Sequence, residues 1–208
     1  MSLMTQPVTV FFDYTCPFAW RGAEVAVSVQ DELELEFTWL HFSLYQSNYR
    51  GEDQWQIWNE RIDPEDESGA KGLLPFLASC AARKQGKALH DAFRLRLLRA
   101  RHRDHRAFDW DTVLDVAESA ELHLAQFRDD LSNPEWRTVL AQEHHRAVEK
   151  DVFGTPTFGF GEGQLSYFRI KELPKGTKEA VELFRDYRRL LTHYPYLETV
   201  KRPRPRTN

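Results

Sequence analysis

Hydrophobic and polar positions along this chain change period in a definite order. Residues 8–12 carry Val8, Val10, Phe11 and Phe12 in a β-branched and aromatic run that predicts a buried central strand. Residues 33–40 begin by alternating Leu33, Leu35 and Phe37 with Glu34 and Glu36, which predicts a second strand. Between them Ala19, Ala23, Ala26, Val27 and Gln30 recur at helical spacing, with small side chains suited to close packing on a sheet. Gly22 is a tolerable weak point in that helix. Strand, helix and strand in this length make a right-handed βαβ unit with parallel strands. From residue 73 to about residue 151 the period is helical. Strand patterns return at 157–160 and 164–170 around a glycine turn at 161–163, followed by a helix over 177–193 that buries Val181, Phe184 and Leu191.

The junction after the first run carries the chemistry. Asp13 to Thr15 break the hydrophobic run, and Pro17 stands where a first helical residue belongs, since its missing N–H is not needed there. Cys16 therefore falls at the helix N-cap, facing unpaired N–H groups and the positive end of the helix dipole. A thiol so placed is expected to have a lowered pKa and to act as a nucleophile; the plain alternative is an inert buried cysteine. Downstream, Gly154-Thr155-Pro156 reads by its own residues as a turn before a strand.

Composition narrows the setting. The chain has 208 residues, 41% of them hydrophobic, enough for one sizeable core. A net charge of −4 does not suggest general nucleic-acid binding. Two cysteines cannot build a secreted disulfide framework, and no stretch reaches the length of a membrane span. The first residues lack a signal-peptide pattern, and a reducing, cytoplasmic setting is expected.

Cys16-Pro17-Phe18-Ala19 after a hydrophobic strand resembles the active-site motif of DsbA-like thioredoxin-fold proteins, in particular the FrnE-type branch, which carries Cys-Pro-aromatic-Cys. The segment Val152-Phe153-Gly154-Thr155-Pro156-Thr157-Phe158 is similar to the loop in which that family places a cis-proline against the cysteine. The resemblance implies an α/β fold: a thioredoxin-like core (βαβ plus ββα) over residues 7–44 and 152–197, a mostly helical insert over 45–151, and a disordered basic tail at 198–208. It implies Cys16 as nucleophile, Pro17, Phe18 and Ala19 as its motif, and Thr155 and Pro156 as substrate-binding residues. Ala19 stands where dithiol members carry the second cysteine, so the resemblance implies a monothiol mechanism, in which an external thiol resolves the adduct. No permanently bound cofactor is implied; glutathione or another low-molecular-weight thiol would be the cosubstrate, and a disulfide-containing or electrophilic molecule the substrate. Kappa-class glutathione transferases and 2-hydroxychromene-2-carboxylate isomerases share this architecture and use Ser-Pro-x-Ser types of motif, which gives a transferase or isomerase as the second reading. A non-catalytic binding protein is the third.

Other positions carry blander readings. Residues 41–58 are aromatic-rich and read equally as core packing or as a wall beside Cys16. His41 reads as a satisfied structural histidine. Cys80, among alanines and leucines, reads as a small buried hydrophobe, with a displaced resolving cysteine as the alternative. Arg94, Arg99, Arg101, Arg103 and Arg106 read as a solvated basic face, or as a patch for a carboxylate-bearing thiol. His102, His105, His144 and His145 read as solvent-facing helical histidines, and no metal site is expected.

Overall fold

The computed structural model describes residues 5–62, 69–161 and 164–202. The acidic turn expected at 63–69 falls largely outside the described residues, as do the glycines' turn at 162–163 and most of the basic tail.

Strand β1 (Gln6–Phe12) leads through Cys16 into helix α1 (Pro17–Val29) and then strand β2 (Leu35–His41). β1 and β2 are parallel, with Val10 opposite Trp39. β2 starts later than the alternation suggested because Leu33 N–H still bonds back to Val29 and Glu34 adopts a positive φ of 52°. Among the described residues, six α-helices and a 3-10 turn (Ile57–Asn59) separate β2 from β3: α2 (Leu44–Asn48), α3 (Gly69–Arg83), α4 (Lys87–His102), α5 (Trp110–Ser119), α6 (Leu124–Leu131) and α7 (Glu135–Val148). Strand β3 (Thr157–Gly159) lies antiparallel to β1, pairing Phe158 with Val10, and β4 (Leu165–Tyr167) closes the sheet in the order β2-β1-β3-β4. Helix α8 (Thr177–His193) ends the fold.

The central position of β1 explains why Val10, Phe11 and Phe12 are apolar at successive positions. Val8, Val10 and Phe12 face the main core with α1, Phe37, Trp39, Phe158 and Phe184, while Phe11 joins Leu40, Phe42, Ala147 and Val152 on the other face. A strand covered on both sides needs apolar residues at successive positions. The stretch after β2 serves both readings: Phe42, Ile57 and Trp58 are buried, with Phe42 stacked on His144 at 5.0 Å between ring centroids, while Leu44 lines a cleft at Cys16.

The helices are tied to the sheet by a buried polar chain. Glu143 on α7 accepts from the His41 backbone N–H (2.8 Å), from His41 Nδ1 (2.9 Å) and from Arg83 Nη1 (2.5 Å). His41 Nε2 meets Ser79 Oγ at 3.0 Å, and Ser79 Oγ meets His90 Nε2 at 2.9 Å. Burial alone would raise the Glu143 pKa, but His41 and Arg83 more than reverse this and hold the carboxyl well below its usual range. Arg83 supplies the countercharge, and burial keeps His41 and His90 neutral. His41 is thus a satisfied structural histidine. Cys80 lies 3.9 Å from its Nδ1, and burial pushes that thiol up to about 12.

Two surface readings are corrected. Arg94 is not solvated: it is only 3% exposed, pairs with Asp91 at 2.6 Å and stacks 4.3 Å from the Trp39 ring centroid. A long aliphatic stem lets a guanidinium lie over an aromatic ring while keeping one ion-pair partner. His144 is buried too, because its Nδ1 accepts the Ser43 N–H at 3.2 Å.

That acceptor role requires a neutral ring. Burial, reinforced by His145, lowers the His144 pKa from 6.5 to about 4. The folded value lies below the unfolded one, so this contribution to stability is complete above about pH 6.5 and is lost as pH falls toward about 4. The urea midpoint is expected to fall between about pH 7 and about pH 4.5, and to fall less in His144→Asn, whose amide oxygen accepts the same N–H without titrating. Equal slopes in the two proteins would remove His144 as a cause.

Candidate active site

Cys16 caps α1 with extended backbone (φ −93°, ψ 116°), and its carbonyl accepts the first helical bonds from Ala19 N–H (3.1 Å) and Trp20 N–H (3.3 Å). Pro17 takes the first helical position, as the sequence predicts. The loop before it is held by Asp13, whose carboxylate accepts from Thr15 N–H (2.7 Å), Thr15 Oγ1 (2.8 Å) and Leu44 N–H (2.7 Å). Asp13 is fully buried, and burial outweighs these three bonds, raising its pKa to about 6. His102 braces the same loop: its Nε2–H donates to the Tyr14 carbonyl at 2.8 Å while the ring stacks on Trp20. It is therefore a partly buried loop support, not a solvent-facing histidine.

The Gly154–Thr157 loop meets Cys16 from the other side of the sheet's end. The Thr155–Pro156 peptide is cis, and Thr157 Oγ1 donates to the Gly154 carbonyl at 2.8 Å, which fixes the bend. Cys16 Sγ donates to the Thr155 carbonyl at 3.3 Å. The Thr155 hydroxyl is buried beside it without a hydrogen-bond partner. Close approach of the loop depends on Gly22. A Cβ there would lie 2.6 Å from Pro156 Cγ, so α1 can reach the proline only with a glycine at this turn. Sequence reading saw this glycine only as a lapse in helix propensity.

The expected acidic thiol is not what the geometry provides. Cys16 is 5% exposed, and its burial raises the thiol pKa above the ordinary value, with the Asp13 charge adding to the rise. The Thr155 hydroxyl and the Ala19 and Phe18 N–H groups act in the opposite direction but do not overcome it. A helix N-terminus stabilises a thiolate through a few partial charges, and desolvation of the whole sulfur here outweighs them. At rest Cys16 is a neutral thiol bonded to a carbonyl.

An open cleft of about 350 Å³ begins at this sulfur. Cys16, Pro17 and Phe18 line it, together with the apolar side chains of Leu44, Phe153 and Tyr167. Phe153 is 74% exposed and rests edge-on against Tyr167 with centroids 5.5 Å apart. Ala19 is fully buried and points no functional group at the sulfur, and Cys80 is not among the residues lining the cleft. The structure brings Cys16, Pro17, Phe18 and Thr155 to one cleft, with Pro156 packed on Gly22 beside it; these are the residues that the resemblance, not their spacing, groups together. Asp13, Gly22 and Phe153 were missed. The Asp-x-Thr pattern after an apolar strand was a readable turn signal, and Phe153 stands directly before the Gly-Thr-Pro loop.

Two substitutions test this arrangement. Gly22→Ala gains helix propensity of about 1 kcal/mol but forces the Pro156 ring away, at about 1–3 kcal/mol for overpacking. We expect a lower urea midpoint and slower Cys16 alkylation; a stabilised protein with unchanged alkylation would refute the contact. Asp13→Asn removes a charge that raises the Cys16 pKa and sets an amide NH₂ against one of three donors. The Cys16 pKa read from pH-dependent alkylation should fall, with a stability loss of about 1–3 kcal/mol; an unmoved pKa would exclude the Asp13 charge as a cause.

Comparison with known proteins follows the same lines. No curated protein matches the chain. Among solved structures, a probable DsbA oxidoreductase from Streptomyces coelicolor superposes with a TM-score of 0.61 at 17% identity, covering 95% of this chain and 93% of that one. A 2-hydroxychromene-2-carboxylate isomerase gives 0.60 at 16% identity, covering 93% and 100%. The cytosolic disulfide reductase DsbM from Pseudomonas aeruginosa, solved with GSH, gives 0.56 at 17% identity, covering 88% and 99%. At such identities these likenesses establish a shared fold. The DSBA-like thioredoxin domain model matches residues 7–173, and on this match the chain belongs to the DSBA-like thioredoxin domain family.

Proposed function

We propose that this protein is a thiol–disulfide exchange enzyme that works through Cys16 alone. The observation that carries the reading is the placement of Cys16 Sγ, 3.3 Å from the Thr155 carbonyl at the wall of an open cleft, with only the Ala19 methyl at the position three residues on. Cys16 loses its Sγ–H proton to solvent and attacks a substrate disulfide. A new bond joins Sγ to one substrate sulfur, the old S–S bond breaks, and the other substrate sulfur leaves as thiolate. Ala19 offers no second thiol. A low-molecular-weight thiolate, glutathione or a similar molecule, therefore attacks the mixed disulfide, takes the substrate sulfur in a new disulfide and returns Cys16 as thiolate. Thr155 holds the substrate by its main chain, in the manner of strand addition.

The resting thiol gives this scheme a built-in order. A substrate N–H that pairs with the Thr155 carbonyl competes with the Cys16 S–H for that acceptor. The neutral thiol then loses its partner, whereas a thiolate keeps the helix N–H groups and the Thr155 hydroxyl. A cytoplasmic setting fits two free cysteines and the cytosolic neighbour. A second reading, a thiol-dependent transferase or isomerase, is favoured by the apolar wall of Leu44, Phe153 and Tyr167, which suits an aromatic electrophile, and by the isomerase among the structural neighbours.

In the free protein, Cys16 alkylation should titrate above the free-cysteine value of about 8.5. Incubation with glutathione disulfide should leave one glutathione on Cys16 by intact mass and peptide mapping, none on Cys16→Ser, and added thiol should release it. A Cys16 that never forms a mixed disulfide up to the pH where it ionises would defeat the exchange mechanism.

A further inference from the structure

The ring of Phe18, which lines the cleft, has two cations against it. Arg169 Cζ lies 3.7 Å from its centroid, a stacking distance, and Arg21 Cζ lies 5.4 Å away. Arg21 is three residues further along α1, on the same face, and its Nη1 donates to the Ile170 carbonyl at 3.5 Å. That bond draws it toward the residue next to Arg169. Among the described residues neither Arg21 nor Arg169 pairs with a carboxylate, as is true of most of the chain's arginines; what sets these two apart is that both lie against one ring that lines the cleft. A guanidinium carries five N–H donors, and stacking on a ring occupies its face while leaving the donor edge open. Two like charges held on one ring repel each other, and an anion between them relieves that repulsion.

We propose that Arg21 and Arg169 form an anion clamp on the Phe18 side of the cleft, so that the preferred substrate of Cys16 is a disulfide bearing a carboxylate or similar oxyanion close to its reactive sulfur. This rests on the thiol-exchange reading of Cys16. One amphipathic ligand would satisfy both: its oxyanion at the arginines that flank Phe18 beside the cleft, and an apolar or aromatic body against Leu44, Phe153 and Tyr167 within it. The attacked sulfur sits between them, over Cys16. The thiolate that leaves carries its carboxylate past the clamp, so the arginines also stabilise the negative charge that builds up as the S–S bond breaks.

The test compares two aromatic disulfides of similar shape, the dianionic dithiobis-nitrobenzoate and the neutral dithiodipyridine, with the rate on Cys16→Ser subtracted. Wild type should favour the anionic reagent over the neutral one more than a free small thiol does, and the preference should shrink with salt. The Arg21→Gln/Arg169→Gln pair should cut the ratio of the two rates by roughly tenfold and leave the neutral reagent nearly untouched. Arg169→Lys should keep part of the preference. A ratio that is indifferent to the double substitution and to salt overturns the clamp while leaving thiol exchange standing. A Cys16 that reacts with neither reagent overturns the exchange reading, and the clamp with it.

Discussion

The site depends on one close contact, that between helix α1 and the proline of the Thr155–Pro156 loop. Gly22 allows it, since any side chain there would meet the Pro156 ring. With α1 drawn in, its N-terminal end lies beside the Thr155 carbonyl and Cys16 closes the gap with its thiol. The sheet order follows the same constraint, because β3 must sit next to β1 for the loop preceding β3 to reach the residue that follows β1. Sequence separation of 139 residues is bridged by that adjacency.

The helices between β2 and β3 serve this junction more than they seem to from their position in the chain. Leu44 N–H secures Asp13, His102 holds the Tyr14 carbonyl, and Arg99 grips Glu24 of α1 through two bonds of 2.7 Å. Deeper in, Glu143, His41, Ser79 and His90 join α7, β2, α3 and α4 in one buried chain. Such a network is sensitive to loss of any member, because each buried polar group relies on the next. The active-site loop is thus clamped from the helical side as well as from the sheet.

Much of this was legible in the residues. The apolar run of β1, the small-residue stripe of α1 and the Pro17 start fixed the first βαβ unit, since each follows from local rules. The pairing of Cys16 with Thr155 and Pro156 was legible only through resemblance, because no local pattern brings residues so distant together. Two features were misread for one physical reason. Cys16 was expected to be acidic from its place on a helix, and Arg94 and His144 were expected in solvent from their type. Each outcome was decided by burial, which depends on what the rest of the chain lays over a residue. Gly22 belongs with these: its role is set by Pro156, far away in sequence.

On the thiol-exchange reading, the hydrogen bond from Cys16 to the Thr155 carbonyl has a consequence for how the protein survives between turnovers. Peroxides and stray electrophiles consume cysteines mainly as thiolates, and oxidation past the sulfenic stage is largely irreversible. A dithiol enzyme can rescue a damaged nucleophile by closing its own disulfide, but this chain has no neighbouring thiol to do so. Keeping the lone sulfur protonated and covered at rest makes it durable, and the same carbonyl that shelters it is the group a true substrate would engage. Protection and recognition are then vested in a single oxygen atom.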